Sequence, residues 1–329
     1  MRPPLTHDNP ICPLWHLRFT LEPEDFIRLP RMNKGITLRG AFGTALRKLV
    51  CAERRASCDS CRIHEACPYG VVFSPRVPEE AKRLRLNRDI PRPFVIKPPL
   101  DGKETYEPGE PVCFDLVLVG NCRNLFPYVI VSFNELGKKG IGAGRGRFRI
   151  GQVECLDGSG GVQPVMEAGD NLVHTPQREI HLGQAPDLKE GRVRVRFLTP
   201  VLLKEGGKWV RPTFGALIKR VRDRINALSY FYGEKPLEMD FKSFGERAEA
   251  VRTVSQDLRW AEERRYSKHR DLTHKLKGYV GETIYEGELE EFWPLLWLGQ
   301  YLHVGKAAAF GQGWYEVGPP VMTEERSSI

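Results

Sequence analysis

Four cysteines, Cys51, Cys58, Cys61 and Cys67, follow one another in the pattern Cys-x6-Cys-x2-Cys-x5-Cys. A Cys-x2-Cys knuckle presents two thiolates to one metal ion, so a structural zinc is the first expectation. The irregular outer spacings and Pro68 after Cys67 also suit an iron–sulfur cluster, where Cys-Pro endings occur. His64 lies between the last two cysteines and could replace one ligand. The remaining cysteines (Cys12, Cys113, Cys122, Cys155) are scattered, and the start of the chain has no apolar export stretch. That favours metal over disulfides, because thiols stay reduced in the cytoplasm.

Two glycine-rich loops offer a different chemistry. The first, Lys138-Lys139-Gly140-Ile141-Gly142-Ala143-Gly144-Arg145-Gly146-Arg147, interleaves glycines with basic residues. Backbone without side chains lets a phosphate approach the N–H groups, while Lys138, Lys139, Arg145 and Arg147 supply charge. The second carries His303, Gly305 and Lys306 ahead of Gly311-Gln312-Gly313. Neither loop ends in the Gly-Lys-Ser/Thr of a P-loop. Neither opens a helix after a first strand, as a dinucleotide fingerprint must. Contact with a nucleic-acid backbone fits better than ATP or NAD, and Gly311, Gln312 and Gly313 join the candidate RNA contacts.

A third concentration runs from Trp260 to Lys277, with Arg265, Lys268, His269, Arg270, His274 and Tyr266 among aromatic and basic neighbours. Aromatic faces stack unpaired bases while guanidinium groups hold phosphates. A solvated hairpin is the competing reading. The net charge of +8 and the pI near 9.1 agree with a polyanionic partner, since neutralising phosphates releases counterions. No run reaches the roughly 18–20 apolar residues of a membrane span, so a cytoplasmic protein is expected.

The elements that carry these residues recur. Leu17-Arg18-Phe19-Thr20-Leu21 and Val193-Arg194-Val195-Arg196-Phe197-Leu198 are matching strand-like alternations. Each precedes a helix start, Arg39-Gly40-Ala41-Phe42-Gly43 and Arg211-Pro212-Thr213-Phe214-Gly215. Leu38, Phe42, Leu46 and Leu49 form one apolar stripe, and Phe214, Leu217, Ile218, Val221, Ile225 and Leu228 the other. Both halves then place an apolar helical segment (Leu125 to Leu136; Leu289 to Leu302) before a Gly-x-Gly turn and a last strand. The fold class expected is α+β, as tandem ferredoxin-like (RRM-like, βαββαβ) domains. The first spans 1–156 and holds the cysteine insertion, the second spans 191–329, and 157–190, rich in Gly and Pro, is a linker or surface excursion.

Arg39-Gly40-Ala41-Phe42-Gly43, the cysteines after it, Arg265-Tyr266-Ser267, Gly278-Tyr279-Val280-Gly281 and His303-Val304-Gly305-Lys306…Phe310-Gly311-Gln312-Gly313-Trp314-Tyr315 resemble one family. It is the sixth Cas family of CRISPR-associated endoribonucleases, within the RAMP superfamily, which process precursor CRISPR RNA. The resemblance implies two ferredoxin-like domains with a glycine-rich loop before the last strand. It also implies cleavage within CRISPR repeat RNA that needs no metal or other cofactor, and other Cas proteins as partners in an effector complex. A base would deprotonate a ribose 2′-OH, giving 2′,3′-cyclic phosphate and 5′-OH ends. Family members that carry a histidine on the first helix differ from this chain, where Phe42 to Lys48 has none. His303, Lys306 and Tyr266 are therefore the candidate catalytic residues. A non-catalytic RAMP subunit that binds guide RNA is the alternative, and a metal-bearing structural protein is the third class.

Overall fold

A computed structural model describes residues 12–53, 56–77, 90–169, 172–188, 190–267 and 272–319, with the side chains of 263–267 and 272–275 outside the description. The chain opens on β1 (Leu14–Pro23), whose Leu17, Phe19 and Leu21 are buried on one face while Arg18 is exposed on the other. That alternation is the period-two signature of a half-covered strand. A short β2 (Ile27–Arg28) leads to α1 (Lys34–Val50), which buries Leu38, Phe42 and Leu46 against the sheet. Leu49, expected in the same stripe, is instead 43% exposed at the helix end. Then come α2 (Pro68–Phe73), β3 (Phe94–Lys97), β4 (Thr105–Tyr106), β5 (Val112–Val119), α3 (Phe126–Lys139), β6 (Phe148–Leu156) and β7 (Val162–Met166).

The second half repeats the plan with β8 (Arg192–Val201), a β9 (Leu203–Glu205) and β10 (Lys208–Val210) hairpin, and α4 (Phe214–Tyr232). It continues with α5 (Phe241–Glu249), β11 (Arg252–Ser267), β12 (Leu272–Glu286), α6 (Trp293–Leu302) and β13 (Tyr315–Gly318). The first sheet runs β3-β5-β1-β6-β7 and the second β11-β12-β8-β13, antiparallel throughout. Leaving β7 aside, both place their strands in the order second, third, first, fourth. That order, with a helix after the first and third strands, fits a tandem ferredoxin-like arrangement. The stretch 157–190 is more than a connector: β7 extends the first sheet and Ile180 pairs with Leu14.

Phe19, Phe42, Phe114 and Phe133 form the centre of the first core, Phe42 and Phe133 being stacked at 5.3 Å. The second core, built on α4 and α6, continues without a break into Leu14, Val95, Val117 and Ile180 of the first half. The halves are therefore fused through apolar surface, and burial of that surface is what holds them in register.

Their seam also carries charge. Lys97, buried at the end of β3, lies with its Nζ 5.0 Å from the Tyr301 ring centre and 4.9 Å from that of Trp314. Aromatic faces attract a cation but do not replace its water, and burial pulls the Lys97 pKa down to about 8. Beside it His16 shares its Nε2 proton with Asp115 at 2.8 Å, and Arg18 donates to the same carboxylate at 2.9 Å. Burial, then the charge of Lys97, lowers the His16 pKa, so the imidazole is neutral and the ion pair is Arg18–Asp115.

The tightest contact of the seam is backbone against backbone. A methyl on Gly35, in the first turn of α1, would stand 2.5 Å from the Phe310 carbonyl oxygen. In an open helix Gly→Ala gains about 0.8–1 kcal/mol. Here the clash outweighs that gain, so Gly35→Ala should lower the melting temperature, which thermal unfolding by circular dichroism reads; a rise would contradict the packing. Lys97 supplies a pH test. Below pH 8 the folded chain holds a desolvated ammonium, while the unfolded lysine stays protonated up to about 10.5. Stability from this group therefore rises between pH 8 and 10.5, by at most ~3 kcal/mol. Across that window the denaturant midpoint of the wild type should rise relative to that of Lys97→Met, and a constant difference would count against it.

Candidate nucleic-acid interface

The second glycine loop joins α6 to β13, and its backbone is unusual. His303, Gly305, Ala307, Gly311 and Gly313 all take φ between 59° and 87°. Left-handed φ is free for glycine and costly for His303 and Ala307. A dense set of bonds holds it there: Val304 N–H to Gly313 O at 3.0 Å, Gly313 N–H to Pro200 O at 3.0 Å, and Lys306 N–H to Leu202 O at 3.1 Å. The Thr199 hydroxyl donates to Gly311 O at 2.8 Å and accepts from the Trp314 amide at 2.9 Å. Gln312 reaches across the seam to Asn33, at the start of α1, with Nε2 to Oδ1 at 2.6 Å. Arg39 lies over the Phe310 ring at 3.9 Å. The loop is thus a rigid corner wedged between the first helix and β8.

The corner splits the residues proposed for catalysis. His303 turns inward, is 1% exposed, and lays its ring against Trp314 at 5.8 Å. Burial, followed by Lys97 and Arg224, holds its pKa well below the ordinary range, so the ring is neutral. Lys306 turns outward and is exposed. The expectation of a His303–Lys306 pair on one surface is therefore not met, because the left-handed turn at His303 sends the two side chains to opposite sides of the loop. Tyr266 and Arg265 lie on β11, but their side chains are outside the described residues, as are Lys268, His269 and Arg270 entirely.

Lys306 does meet one other cation, Lys277. With Lys277, Gln312, Pro200 and Leu202 it lines a cavity of about 20 Å³, room for one water. Trp260, 46% exposed on β11, packs edge-on to Tyr279 at 5.0 Å, and Arg211 covers the same tyrosine at 5.5 Å. This face, made by the loop, the β9–β10 hairpin and the β11–β12 hairpin, combines open cations with exposed rings.

The first glycine loop is different. A methyl on Gly140, Gly142 or Gly146 would meet the backbone oxygen of Arg145, Arg28 or Phe26 at 2.3 Å or less, so these glycines answer close chain approach. Three of its four basic residues already have partners: Arg147 with Asp25 at 2.8 Å, and Lys138 and Lys139 with Glu135 at 2.8 and 3.6 Å. Arg145 is exposed and makes no ion pair among the described residues.

The four cysteines surround a compact turn. Cys51 follows α1, Cys58 and Cys61 flank a 3-10 turn closed by Cys61 N–H to Cys58 O at 3.4 Å, and Cys67 caps α2. The Arg76 guanidinium donates to the carbonyls of Cys58 and Cys61. Cys51, Cys67 and Cys61 stand near enough, after burial, to raise the Cys58 pKa. The thiols are neighbours, yet among the described residues no three His, Cys, Asp or Glu groups converge on one metal position. His64 is spoken for by Ser74, with Nε2 donating to its carbonyl at 2.7 Å. The donor set suits a metal and its geometry is open.

Sequence reasoning missed two features: the seam cluster of His16, Lys97 and Asp115, and the β9–β10 hairpin with Trp209. The hairpin had a signal, since Gly206-Gly207 separates two three-residue strands and both glycines take positive φ.

Among the described residues no helix is long and apolar enough to cross a membrane. Comparison with known proteins agrees with the fold. The family model AF_1859_N, an N-terminal domain, matches residues 12–178, and one described as CRISPR-associated endoribonuclease Cas6 matches residues 195–315. An uncharacterized protein of Archaeoglobus fulgidus is 26% identical over 86% of this chain and 91% of its own. A Cas6 product complex aligns over 93% of this chain and all of its own at 18% identity and a TM-score of 0.54. The Thermus thermophilus Cas6 does so over 93% and 99% at 15% identity and 0.53. A chain of a partial Cas6-RT-Cas1–Cas2 complex covers 96% of this chain with 48% of its own length, at 15% identity and a TM-score of 0.55. At these identities the solved structures speak for the fold, and the family models for descent. The second half of the chain is thus similar to the Cas6 family of CRISPR-associated endoribonucleases.

Proposed function

We propose that the protein cleaves precursor CRISPR RNA within its repeats by attack of a ribose 2′-OH on the adjacent phosphate. The new P–O bond closes a 2′,3′-cyclic phosphate as the 5′-oxygen departs with a proton. The observation that carries this reading is the open cationic face around Lys306 on a rigid loop. A fixed ammonium at that place can stabilise the charge that builds on phosphorus oxygens in the transition state. Tyr266 and the β11–β12 cations remain candidates for binding and proton transfer. Gly311, Gln312 and Gly313 contribute the loop's shape. Repeat RNA is the partner, and the likeness to a Cas6-RT-Cas1–Cas2 assembly supports other Cas proteins as further partners.

A specific observation favours a second reading, in which the protein holds guide RNA without cutting it. Among the described residues no histidine side chain shares the face of Lys306, and His303 is shut behind Trp314. Incubation with the cognate repeat in EDTA, followed by mapping of the ends, separates the two. Cyclic-phosphate and 5′-OH ends are expected. RNA bound but intact would establish the second reading. Lys306→Ala should slow single-turnover cleavage by about 100-fold, the scale of losing one transition-state donor. His303→Ala should chiefly lower the melting temperature; loss of cleavage in a stably folded variant would return His303 to the catalytic set.

The cysteine loop we assign to a structural zinc, held by Cys51, Cys58, Cys61 and Cys67, with an iron–sulfur cluster as the alternative occupant. Support comes from the four neighbouring thiols and from the Cys58–Cys61 turn that Arg76 holds. Such a metal would staple a segment with little apolar core of its own. Elemental analysis of the purified protein should find one zinc per chain, lost together with several degrees of thermal stability in Cys58→Ser. Bound iron with visible absorbance would replace zinc by the cluster, and metal-free protein of full stability would end the assignment.

A further inference from the structure

We infer that Trp209 is a stacking platform for one unpaired nucleotide of the RNA, with Lys204 and Lys306 holding the phosphates that flank it. The inference rests on the RNA-cleaving reading and adds to it a residue and a state of the substrate.

Trp209 stands on the β9–β10 hairpin and is 48% exposed. About half of this large ring is left open to water in the free protein. It is nevertheless firmly placed. The register sets Trp209 directly opposite Lys204, and the Gly206-Gly207 turn closes the hairpin two residues away. The hairpin base is bolted to the glycine loop by the Lys306 amide, which donates to Leu202 O at 3.1 Å. Gly305 touches the same carbonyl so closely that a methyl there would lie 2.5 Å from the oxygen.

Two ammonium groups lie close to the ring. Lys204 Nζ is 5.8 Å from its centre and Lys306 Nζ 5.6 Å. Neither lysine has an ion pair among the described residues, and Glu205, the acidic residue of the hairpin, is taken by Lys219. An exposed ring with two open cations close by matches the parts of a nucleotide, a flat base and the phosphates next to it. The neighbouring cavity, about 20 Å³, has no room for a base, so the base lies on the ring rather than inserting there. In duplex RNA the base faces are covered by their neighbours, so the nucleotide recognised is unpaired.

The competing role is local. The lysine stems could simply pack on the indole and stiffen the hairpin. Binding of full-length protein to the repeat RNA, measured by fluorescence anisotropy at about 0.15 M salt, tells them apart. Stacking contributes about 1–3 kcal/mol per base, so Trp209→Ala should weaken binding at least ~5-fold, and Trp209→Phe should keep most of it. A set of repeat RNAs, each lacking one base, should contain one that weakens the wild type equally and leaves Trp209→Ala no worse. RNA should quench tryptophan fluorescence in the wild type more than in Trp209→Phe, which tests the stack even if the alanine variant folds poorly. A folded Trp209→Ala that binds like wild type overturns the inference. So does a set of RNAs in which no missing base couples to Trp209, or quenching that is equal in Trp209→Phe. Wild type that cleaves repeat RNA alongside such results sinks this inference alone, whereas wild type that neither binds nor cleaves sinks the RNA reading with it.

Discussion

Everything in the candidate interface hangs on the contact between the start of α1 and the second glycine loop. Gly35 is pressed against the Phe310 carbonyl with no room for a methyl, and Gly311 sits nearly as close to the Ile96 carbonyl of β3 and to Pro98 just after it. Backbone packed on backbone cannot be adjusted by choosing another rotamer. The loop is therefore held between two elements of the first half and the β8 end of the second. Its direction, and with it the position of Lys306, follows from how the halves dock rather than from the loop's own residues.

The same docking explains the charged seam. Fusing two open sheet faces has enclosed Lys97, His16 and Asp115, groups that single ferredoxin-like sheets would leave in water. Asp115 is stabilised by Arg18 and by the His16 N–H, and burial works against it. Lys97 has aromatic faces instead of a bonded carboxylate, and its depressed pKa records the difference. The seam is stable because the apolar core around it is large, and its polar centre specifies one relative placement of the halves.

Surplus charge is distributed with a similar logic. In the first glycine loop Arg147, Lys138 and Lys139 are met by Asp25 and Glu135. Exposed pairs of this kind are weak, so a phosphate could displace them, though only in exchange for an existing partner. On the second loop and its flanking hairpins Lys306, Lys204 and Arg211 lie over rings instead. Cations with no anion of their own among the described residues leave a net positive potential there, which is what attracts an RNA backbone.

The sequence alone determined the plan of the molecule. Strand alternation in Leu17–Leu21 and Val193–Leu198, the stripes of α1 and α4, and the order of elements in each half are local properties, and each reappears in the two sheets. The glycine loops and the spacing of the cysteines were equally plain, because composition is visible without coordinates. Tertiary structure decided what faces what. His303 and Lys306 are close in sequence, yet one left-handed residue sends the imidazole inward and the lysine out. The first loop reads as a phosphate cradle until its glycines are found against the chain of β2 and its cations against Asp25 and Glu135. Lys97, His16 and Trp209, far apart along the chain, acquired meaning only through packing. Side-chain direction and the pairing of charges depend on residues a hundred positions away, and no local pattern encodes them.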